Sequence, residues 1–272
     1  MLHKQKLIAA ITACFIFIGI QSSFAGLMEN KSEGKHSADI KYERLYFNFD
    51  SSVTKIDGWM SGIGLSYTYR HSSKNFIVKP ELSLDWGNLD YDGPLSYANG
   101  KITSSGKLEG VDSYLVEFRV LPGYDFQLSE TSSLVPYIGV GIRYFDIDMD
   151  GRMTYTTDSK TIKIGSNSYL DFYVPIGVTF DLNGKQLKNK WSFKATVEDD
   201  ILLDNRGNGL RGSMEFQRRF KHFNVAVEPF IRYWSFGKAR SEFRDANDNF
   251  IGEVYEPAKH ITEAGVALKV RF

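Results

Sequence analysis

The chain has 272 residues, and its 33 basic side chains balance 33 acidic ones, so the formal net charge is zero. Without a strongly basic stripe, nucleic acid is not an expected partner. The single cysteine, Cys14, lies in an N-terminal apolar run that we expect to be removed, which excludes disulfides, thiol catalysis and thiolate metal sites from the mature chain. We expect no cofactor and no metal.

Residues 1–25 have the pattern of a secretory signal peptide. Basic side chains precede an apolar run at residues 7–20, and the small residues Ala25 and Gly26 flank the predicted cleavage position. The apolar run is shorter than the roughly 20 residues that a membrane-spanning helix needs. We therefore predict cleavage after export, with an uncleaved anchor as the alternative.

From residue 39 onward the chain repeats one unit, in which apolar and polar residues alternate and a turn follows. Alternation with a period of two predicts β-strands. The ten predicted strands are Asp39–Phe49, Gly58–Arg70, Asn75–Leu89, Val111–Gln127, Leu134–Asp148, Ser168–Leu182, Lys190–Leu202, Gly209–Phe220, Phe223–Lys238 and Ile261–Phe272.

An even number of strands lets an antiparallel sheet close with both termini on one side. No second apolar run has the length of a membrane-spanning helix, so the mature chain would cross a membrane only as a closed barrel. The prediction is an all-β, closed antiparallel transmembrane barrel over residues 39–272. A short periplasmic segment, residues 26–38, is predicted to precede it.

The predicted connections differ in length at the two ends of the barrel. Those after even-numbered strands are short, whereas residues 90–110, 149–167 and 239–260 form long segments rich in Gly, Ser, Asn and Asp. This asymmetry predicts short periplasmic turns and longer extracellular loops, although the loops near 50–57 and 203–208 are short. Residues 245–253 lack a full calcium-loop pattern, and a hairpin is the simpler interpretation.

The alternation places apolar side chains on one face of each strand and charges on the other. The predicted lumen-lining charges are Lys79, Glu81, Asp85, Glu117, Arg119, Arg143, Asp171, Lys194, Glu198, Glu215, Arg219, Glu228, Arg232, Glu263, Lys269 and Arg271. Ten strands enclose a narrow lumen, and charges held there must pair or meet water. We expect salt bridges to occlude the lumen, and a narrow pore for small solutes is the alternative.

Two features do not fit regular alternation. Arg44 and Asn48 break the outer face of the first strand, which predicts a bulge or a wrong boundary. Prolines also lie inside the predicted strands, where each removes a ladder donor, and we expect bulges or strand ends to absorb them. These prolines are Pro80, Pro122, Pro136, Pro175 and Pro229.

The last strand has an apolar face that ends on an aromatic carboxyl-terminal residue. This face consists of Val266, Leu268, Val270 and Phe272. Such an ending resembles the terminal strands of Gram-negative outer-membrane barrels, which the membrane-assembly machinery reads. Residues 135–145, VPYIGVGIRYF, are similar to strands of opacity-protein and OmpA-like barrels. The resemblance implies an outer-membrane location, contact with outer-membrane lipid and lipopolysaccharide, and loops that recognise host or envelope surfaces.

The strand count alone also resembles the omptin proteases, which activate a water between an acidic pair and an Asp–His pair. The acidic residues in comparable places are Asp90, Asp92, Asp199 and Asp200, with His260 as the one histidine near the same end. A general base needs hydrogen-bond reach, and the sequence offers no local His–carboxylate pair. We predict a structural or surface-interaction protein without catalytic residues, and keep the omptin-like hydrolase as an alternative.

Overall fold

The computed structural model describes residues 34–71, 73–93, 106–148, 167–183, 191–203, 207–237, 239–244, 250–256 and 258–272. The predicted signal peptide and residues 26–33 lie outside the described residues. Within these ranges, no helix is long and apolar enough to cross a membrane.

All regular structure in the described ranges is β-strand. The strands are β1 (Gly34–Ser51), β2 (Lys55–His71), β3 (Phe76–Gly93), β4 (Gly106–Tyr124), β5 (Phe126–Gln127), β6 (Ser132–Ile138), β7 (Val140–Asp148), β8 (Asn167–Asn183), β9 (Trp191–Leu202), β10 (Gly207–Arg219), β11 (Asn224–Phe236), β12 (Ala239–Arg244), β13 (Phe250–Glu256) and β14 (Lys259–Arg271).

The strands close into an antiparallel ring. The ring pairings are β1–β2, β2–β3, β3–β4, β4–β7, β7–β8, β8–β9, β9–β10, β10–β11, β11–β14 and β14–β1. Strands β6 and β7 share one register against β8 and form a single wall, so the ring has ten walls, as predicted. Strands β12 and β13 form a separate hairpin, which confirms the hairpin predicted around residues 245–253.

Several strands are longer than the alternation predicted. Strand β1 begins at Gly34 rather than Asp39, so residues 34–38 belong to the sheet. Strands β3 and β4 extend to Gly93 and from Gly106. The long connections, 94–105, 149–166 and the one containing the β12–β13 hairpin, all leave the same end of the ring. We call this the upper end, and the end that holds residues 34 and 272 the lower end.

The bulge predicted in the first strand is wrong, and its alternative, a wrong boundary, is confirmed, because β1 runs over Gly34–Ser51. Strand β1 pairs with β14 without a register shift from Asp39↔Arg271 to Ser51↔Lys259. Arg44 lies on the outer face, where its Nη1 donates a 2.6 Å hydrogen bond to the Ser61 hydroxyl. The bulge instead lies between β3 and β4 near Gly110, whose φ of +61° suits glycine.

The expectation that bulges or strand ends absorb the prolines holds for Pro122, close to the lower end of β4, but not for Pro80, Pro136 and Pro229. Pro80 pairs with Val120 and Pro136 with Val178 in unshifted register. The β10–β11 ladder is interrupted opposite Pro229 and resumes in the same register. Each residue of an antiparallel strand directs its N–H toward one neighbour only, so a proline costs one ladder bond without displacing the strand.

Pro122 and Pro175 likewise cause no shift of register. Pro122 pairs with Val78, close to the lower end of β4. Pro175 lies opposite Gly139, and its carbonyl accepts a 2.8 Å hydrogen bond from the Gly139 N–H. This point is where the predicted fifth strand divides into β6 and β7.

The outer face has an apolar belt between two rings of aromatic side chains. On β2 these rings are marked by Tyr69 below and Trp59 above, ten residues apart. At about 3.3 Å per residue and a tilt near 40°, that separation spans roughly 25 Å, the height of a lipid-facing band. The upper girdle contains Tyr46, Trp59, Trp86, Tyr114, Tyr144 and Tyr233, and the lower girdle Tyr69, Phe76, Tyr124, Trp191, Phe220, Phe223 and Phe272.

The terminal strand contributes to this belt. Val266, Leu268 and Phe272 are about half exposed or more on its outer face, and Val270 shares their parity. The Phe272 N–H donates a 2.9 Å hydrogen bond to the Ala38 carbonyl, which ties the carboxyl terminus into the ring.

Inward glycines make room for large inward side chains, and Gly141 gives a direct test. A Cβ at Gly141 would overlap the Tyr173 ring, whereas a Cβ at the outward Gly212 would meet only Ile231 at 3.7 Å. We expect Gly141→Ala to destabilise the barrel by about 1–3 kcal/mol through overpacking. Gly212→Ala, the matched control, should be neutral or slightly stabilising. Urea unfolding in lipid vesicles, followed by tryptophan fluorescence, measures both; equal effects would contradict the packing argument.

Candidate functional site: a lumen closed by two layers

The upper part of the lumen is filled with apolar side chains. These are Leu45, Phe47, Phe49, Ile56, Met60, Leu89, Tyr91, Leu108, Val111, Leu115, Phe145, Ile147, Tyr173, Leu202, Phe230, Trp234, Phe236, Ile261 and Ala267. The Phe47 and Phe145 rings stack with centroids 4.7 Å apart across the lumen. We call this set the apolar layer.

On β2, β3 and β4 the outer surface around the apolar layer is polar. Asp57, Asn88 and Asp112 lie on the outer face at or above the upper girdle, and Asn88 bonds Asp112 at 2.6 Å. On these strands the pattern therefore inverts at the girdle: below it the exterior is apolar and the interior charged, and above it the reverse holds. Such an inversion is expected where the wall leaves lipid and enters water.

Directly below lies a layer of charges centred on Arg211. Its Nε donates to Asp200 at 2.5 Å, and its Nη1 donates to Glu117 at 2.8 Å. The Tyr173 hydroxyl donates a 2.8 Å hydrogen bond to the same Glu117. The guanidinium carbon also lies 4.9 Å from the centre of the Trp234 ring. Arg211 thus joins the charges to the base of the apolar layer.

A second group of charges faces this centre from β1, β7, β11 and β14. Arg143 donates to Glu263 at 2.6 Å, and Arg232 lies 3.1 Å from Glu263 and 3.2 Å from Glu43. The Arg143 guanidinium stacks 3.7 Å from the centre of the Trp234 ring. Both clusters therefore contact the same indole ring.

A fourth arginine links the centre to the lower lumen. Arg119 donates to Glu198 at 2.5 Å and pairs with Glu81. The Tyr137 hydroxyl also donates to Glu198, at 2.7 Å. We call the charges around Arg119, Arg143, Arg211 and Arg232 the ionic layer. Buried charges are costly unless they are paired and hydrogen-bonded, and this layer supplies those partners.

Below the ionic layer is a cavity of about 400 Å³ that extends to the lower rim. Its lining runs from Glu117 and Arg211 at the top to Lys35, Ser192 and Asn224 near the lower strand ends. Lysine and arginine outnumber aspartate and glutamate among the lining side chains. We call this space the vestibule. It is blind at its upper end, where the two layers fill the ring.

The structure places the sixteen predicted lumen charges on the inner side of the ring. In addition to the pairs above, Lys79 lies 2.5 Å from Glu81, Lys269 pairs with Glu228 and Glu215, and Arg271 lies 2.5 Å from Asp39. Lys194 has longer contacts, 3.7 Å to Glu215. Asp85 is fully buried, Asp171 faces Arg143 in register, and Arg219 lies exposed at the vestibule rim.

The sequence reasoning missed the centre of the ionic layer. Arg211 has the same parity as Glu215 and Arg219 and follows from extending that alternation to the start of β10, where Gly209 and Gly212 weaken the pattern. Glu43, Lys41 and Asp39 were missed because the outward Arg44 made strand β1 look irregular.

The aspartates compared with the omptin site lie on different faces of the wall. Asp90 and Asp92 are exposed on the outer face of β3, and Asp199 is exposed on the outer face of β9. Asp200 is buried in the lumen against Arg211. His260 lies on the outer face, where its Nδ1 is 2.8 Å from the Tyr233 hydroxyl. The described residues contain no group of three His, Cys, Asp or Glu positioned to hold a metal.

Comparison with solved structures finds outer-membrane proteins. The outer membrane protease OmpT from Escherichia coli is similar, with a TM-score of 0.52 and 12% identity over 89% of this chain and 98% of that chain. The translocator domain of the autotransporter NalP from Neisseria meningitidis gives 0.43 and 11% over 95% and 96% of the two chains. The attachment invasion locus protein Ail of Yersinia pestis gives 0.34 and 11% over 88% and 99%. No protein-family model and no curated protein sequence matches the chain.

At these identities the likeness to OmpT concerns the fold alone. The closed ten-wall ring, the apolar belt and the two girdles nevertheless define the class. The chain is a Gram-negative outer-membrane β-barrel, located in the outer membrane. In that class both termini face the periplasm, so the upper end is extracellular and the vestibule opens to the periplasm.

The pairing in the ionic layer predicts that replacing Arg211 destabilises the barrel. Arg211→Met leaves Glu117 and Asp200 buried without their main cation, and we expect a loss of about 3–5 kcal/mol in unfolding free energy. Arg219→Gln, at the exposed rim, is the matched control and should change stability by less than about 0.5 kcal/mol. Unfolding in urea measures both. Adding Glu117→Gln to Arg211→Met should recover part of the loss, and an unchanged double variant would count against this assignment.

Proposed function

We propose that this protein is a non-conducting outer-membrane barrel that acts through its extracellular segments, as a structural or surface-interaction protein. The observation that carries the proposal is the double closure of the lumen by the ionic and apolar layers. A barrel closed by its own wall side chains has its extracellular surface, not its lumen, available for function.

The closure argues against the pore alternative. The apolar layer stacks aromatic rings from β1 and β7 on one another, and the Trp234 ring contacts two arginines of the ionic layer. Ions passing this point must displace buried, paired charges and then cross apolar packing. Both steps are energetically costly.

The upper end supplies the surface for interaction. Strands β3 and β4 rise beyond the upper girdle to Gly93 and Gly106, and the β12–β13 hairpin stands between β11 and β14. The connecting segments 94–105 and 149–166 are rich in Ser, Thr, Gly and Lys, a composition that offers hydrogen bonds to glycans and polar surfaces. Lipopolysaccharide, a host surface or another envelope protein are the partner classes that we propose.

The position of the acidic residues favours this role over an omptin-like hydrolase. Asp90 and Asp92 are separated by the wall from Asp200, which is engaged by Arg211 and the Trp234 indole. A shared catalytic water would have to contact groups on both sides of the wall.

Because the lumen is closed, we expect the protein to conduct no ionic current across planar bilayers. Refolded wild-type protein should give no resolvable current steps, because the two layers leave no water-filled path. A porin refolded into the same bilayers provides the control for detection. Reproducible ohmic steps from correctly folded wild-type protein would rule out the non-conducting barrel.

The loop assignment predicts separable folding and binding. Replacing residues 95–104 and 150–165 with Gly–Ser linkers should leave the heat-dependent mobility on SDS gels unchanged, because the ring does not depend on them. Binding of protein-displaying cells to epithelial monolayers should fall to the level of cells lacking the protein. A length-matched replacement of the lower turn at residues 184–190 is the control. Undiminished binding by the loop variant would refute the proposed role.

A further inference from the structure

Two arginines interrupt the apolar belt on the outer face. Among the outward positions between the girdles that the structure describes, Arg44 on β1 and Arg218 on β10 are the cations. Arg44 pairs in register with Ser61, two residues below the Tyr46↔Trp59 pair of the upper girdle. Arg218 pairs with Trp191 and lies two residues above Phe220 of the lower girdle. Each therefore sits just inside one membrane boundary.

Both arginines have aromatic rather than acidic neighbours. The Arg44 guanidinium lies 5.5 Å from the centre of the Trp59 ring and donates to Ser61 at 2.6 Å. Arg218 lies 5.4 Å from Trp191 and 5.6 Å from Phe220. Neither forms a salt bridge within the described residues. The arginines of the ionic layer, by contrast, each have a carboxylate partner.

An unpaired guanidinium facing lipid needs an anion from outside the protein. A charge in hydrocarbon is costly, and a long side chain near the boundary extends its head toward the interface. The interface holds lipid phosphates, and a guanidinium binds phosphate through paired N–H donors. Arg44 faces the extracellular leaflet, whose phosphates in a Gram-negative outer membrane belong to lipopolysaccharide.

We propose that Arg44, with Ser61 and Trp59, forms a binding site for a phosphate group of lipid A in the outer leaflet. The surrounding side chains suit such a ligand. Tyr42 and Trp59 are both about half exposed beside Arg44, at 51% and 53%, and offer apolar surface to acyl chains and a hydroxyl to the headgroup. Tyr46 and Asp57, joined by a 2.5 Å hydrogen bond, border the site above. This site lies on the barrel wall and is independent of the loops.

The position of Arg218 supplies the matched control. It has the same residue type, the same exposure to lipid and the same stacking on tryptophan, but it faces the periplasmic leaflet, which contains phospholipid. A general attraction between arginine and anionic lipid would involve both residues equally. The proposed site for lipid A requires Arg44 alone.

The test is a titration of the folded mature protein in asymmetric bilayers, in which lipid A, its dephosphorylated form or phosphatidylglycerol is supplied to the extracellular leaflet alone. Wild type should bind lipid A more tightly than either of the others. Arg44→Gln should weaken lipid A binding by about tenfold, the size expected for one charge-assisted hydrogen-bonded contact. Arg44→Lys should lose less, and Arg218→Gln should bind as wild type. Native mass spectrometry reports the bound lipid directly.

Three results would overturn the proposal: unchanged lipid A affinity in Arg44→Gln, an equal loss in Arg218→Gln, or equal wild-type affinity for phosphatidylglycerol. Heat-dependent mobility on SDS gels establishes that each variant is folded before titration. Trp59→Leu retains the cation and removes the stacked ring, and it should show an intermediate loss. Loop-replaced protein should retain the wild-type affinity, which distinguishes failure of this site from failure of the proposed loop function.

Discussion

Closure of the ring by β1 and β14 is the constraint on which the rest of the structure depends. In hydrocarbon every backbone N–H and C=O must find a partner within the protein, and the continuous register between residues 39–51 and 259–271 removes the last free edge. Once the ring is closed, the parity of each residue decides whether it meets lipid or lumen. One prolyl residue costs one bond at most, because the ring holds its register from both neighbours.

The alternation of inward and outward side chains along each strand explains how much of the structure was predictable from sequence. The apolar run of β8 and the terminal strand alternate cleanly, so the all-β ring and most lumen charges followed from them. The bulge predicted at Arg44 was wrong because alternation does not distinguish a charge at a membrane boundary from a broken pattern. Arg211 was missed because two glycines flank it, and the packing that makes it central comes from Glu117 and Asp200 on distant strands. Long-range partners of this kind leave no local signal.

Two kinds of interaction fill the lumen: ion pairs in the ionic layer and side-chain packing in the apolar layer. The ionic layer is tolerated because its charges have partners drawn from several walls, and those partners fix the relative positions of strands far apart in sequence. The apolar layer needs no such matching and fills the wider space above. Trp234 connects the two, since its ring contacts Arg143 and Arg211 from one side of the apolar packing. The lumen side chains are engaged in contacts between strands. The extracellular segments and the lipid-facing surface are therefore the parts that the protein presents to partners.

The inversion of polarity at the upper girdle also bears on how the barrel enters the membrane. The part above the girdle carries aspartates outside and aromatic rings inside, so it is matched to water only after it has passed through the bilayer. During passage its polar exterior opposes entry into hydrocarbon, and its apolar interior has not yet packed. After passage the packed rings oppose return, because withdrawal would unpack them and draw the aspartates into lipid. The apolar layer and the polar exterior around it should therefore make insertion directional and spontaneous extraction slow.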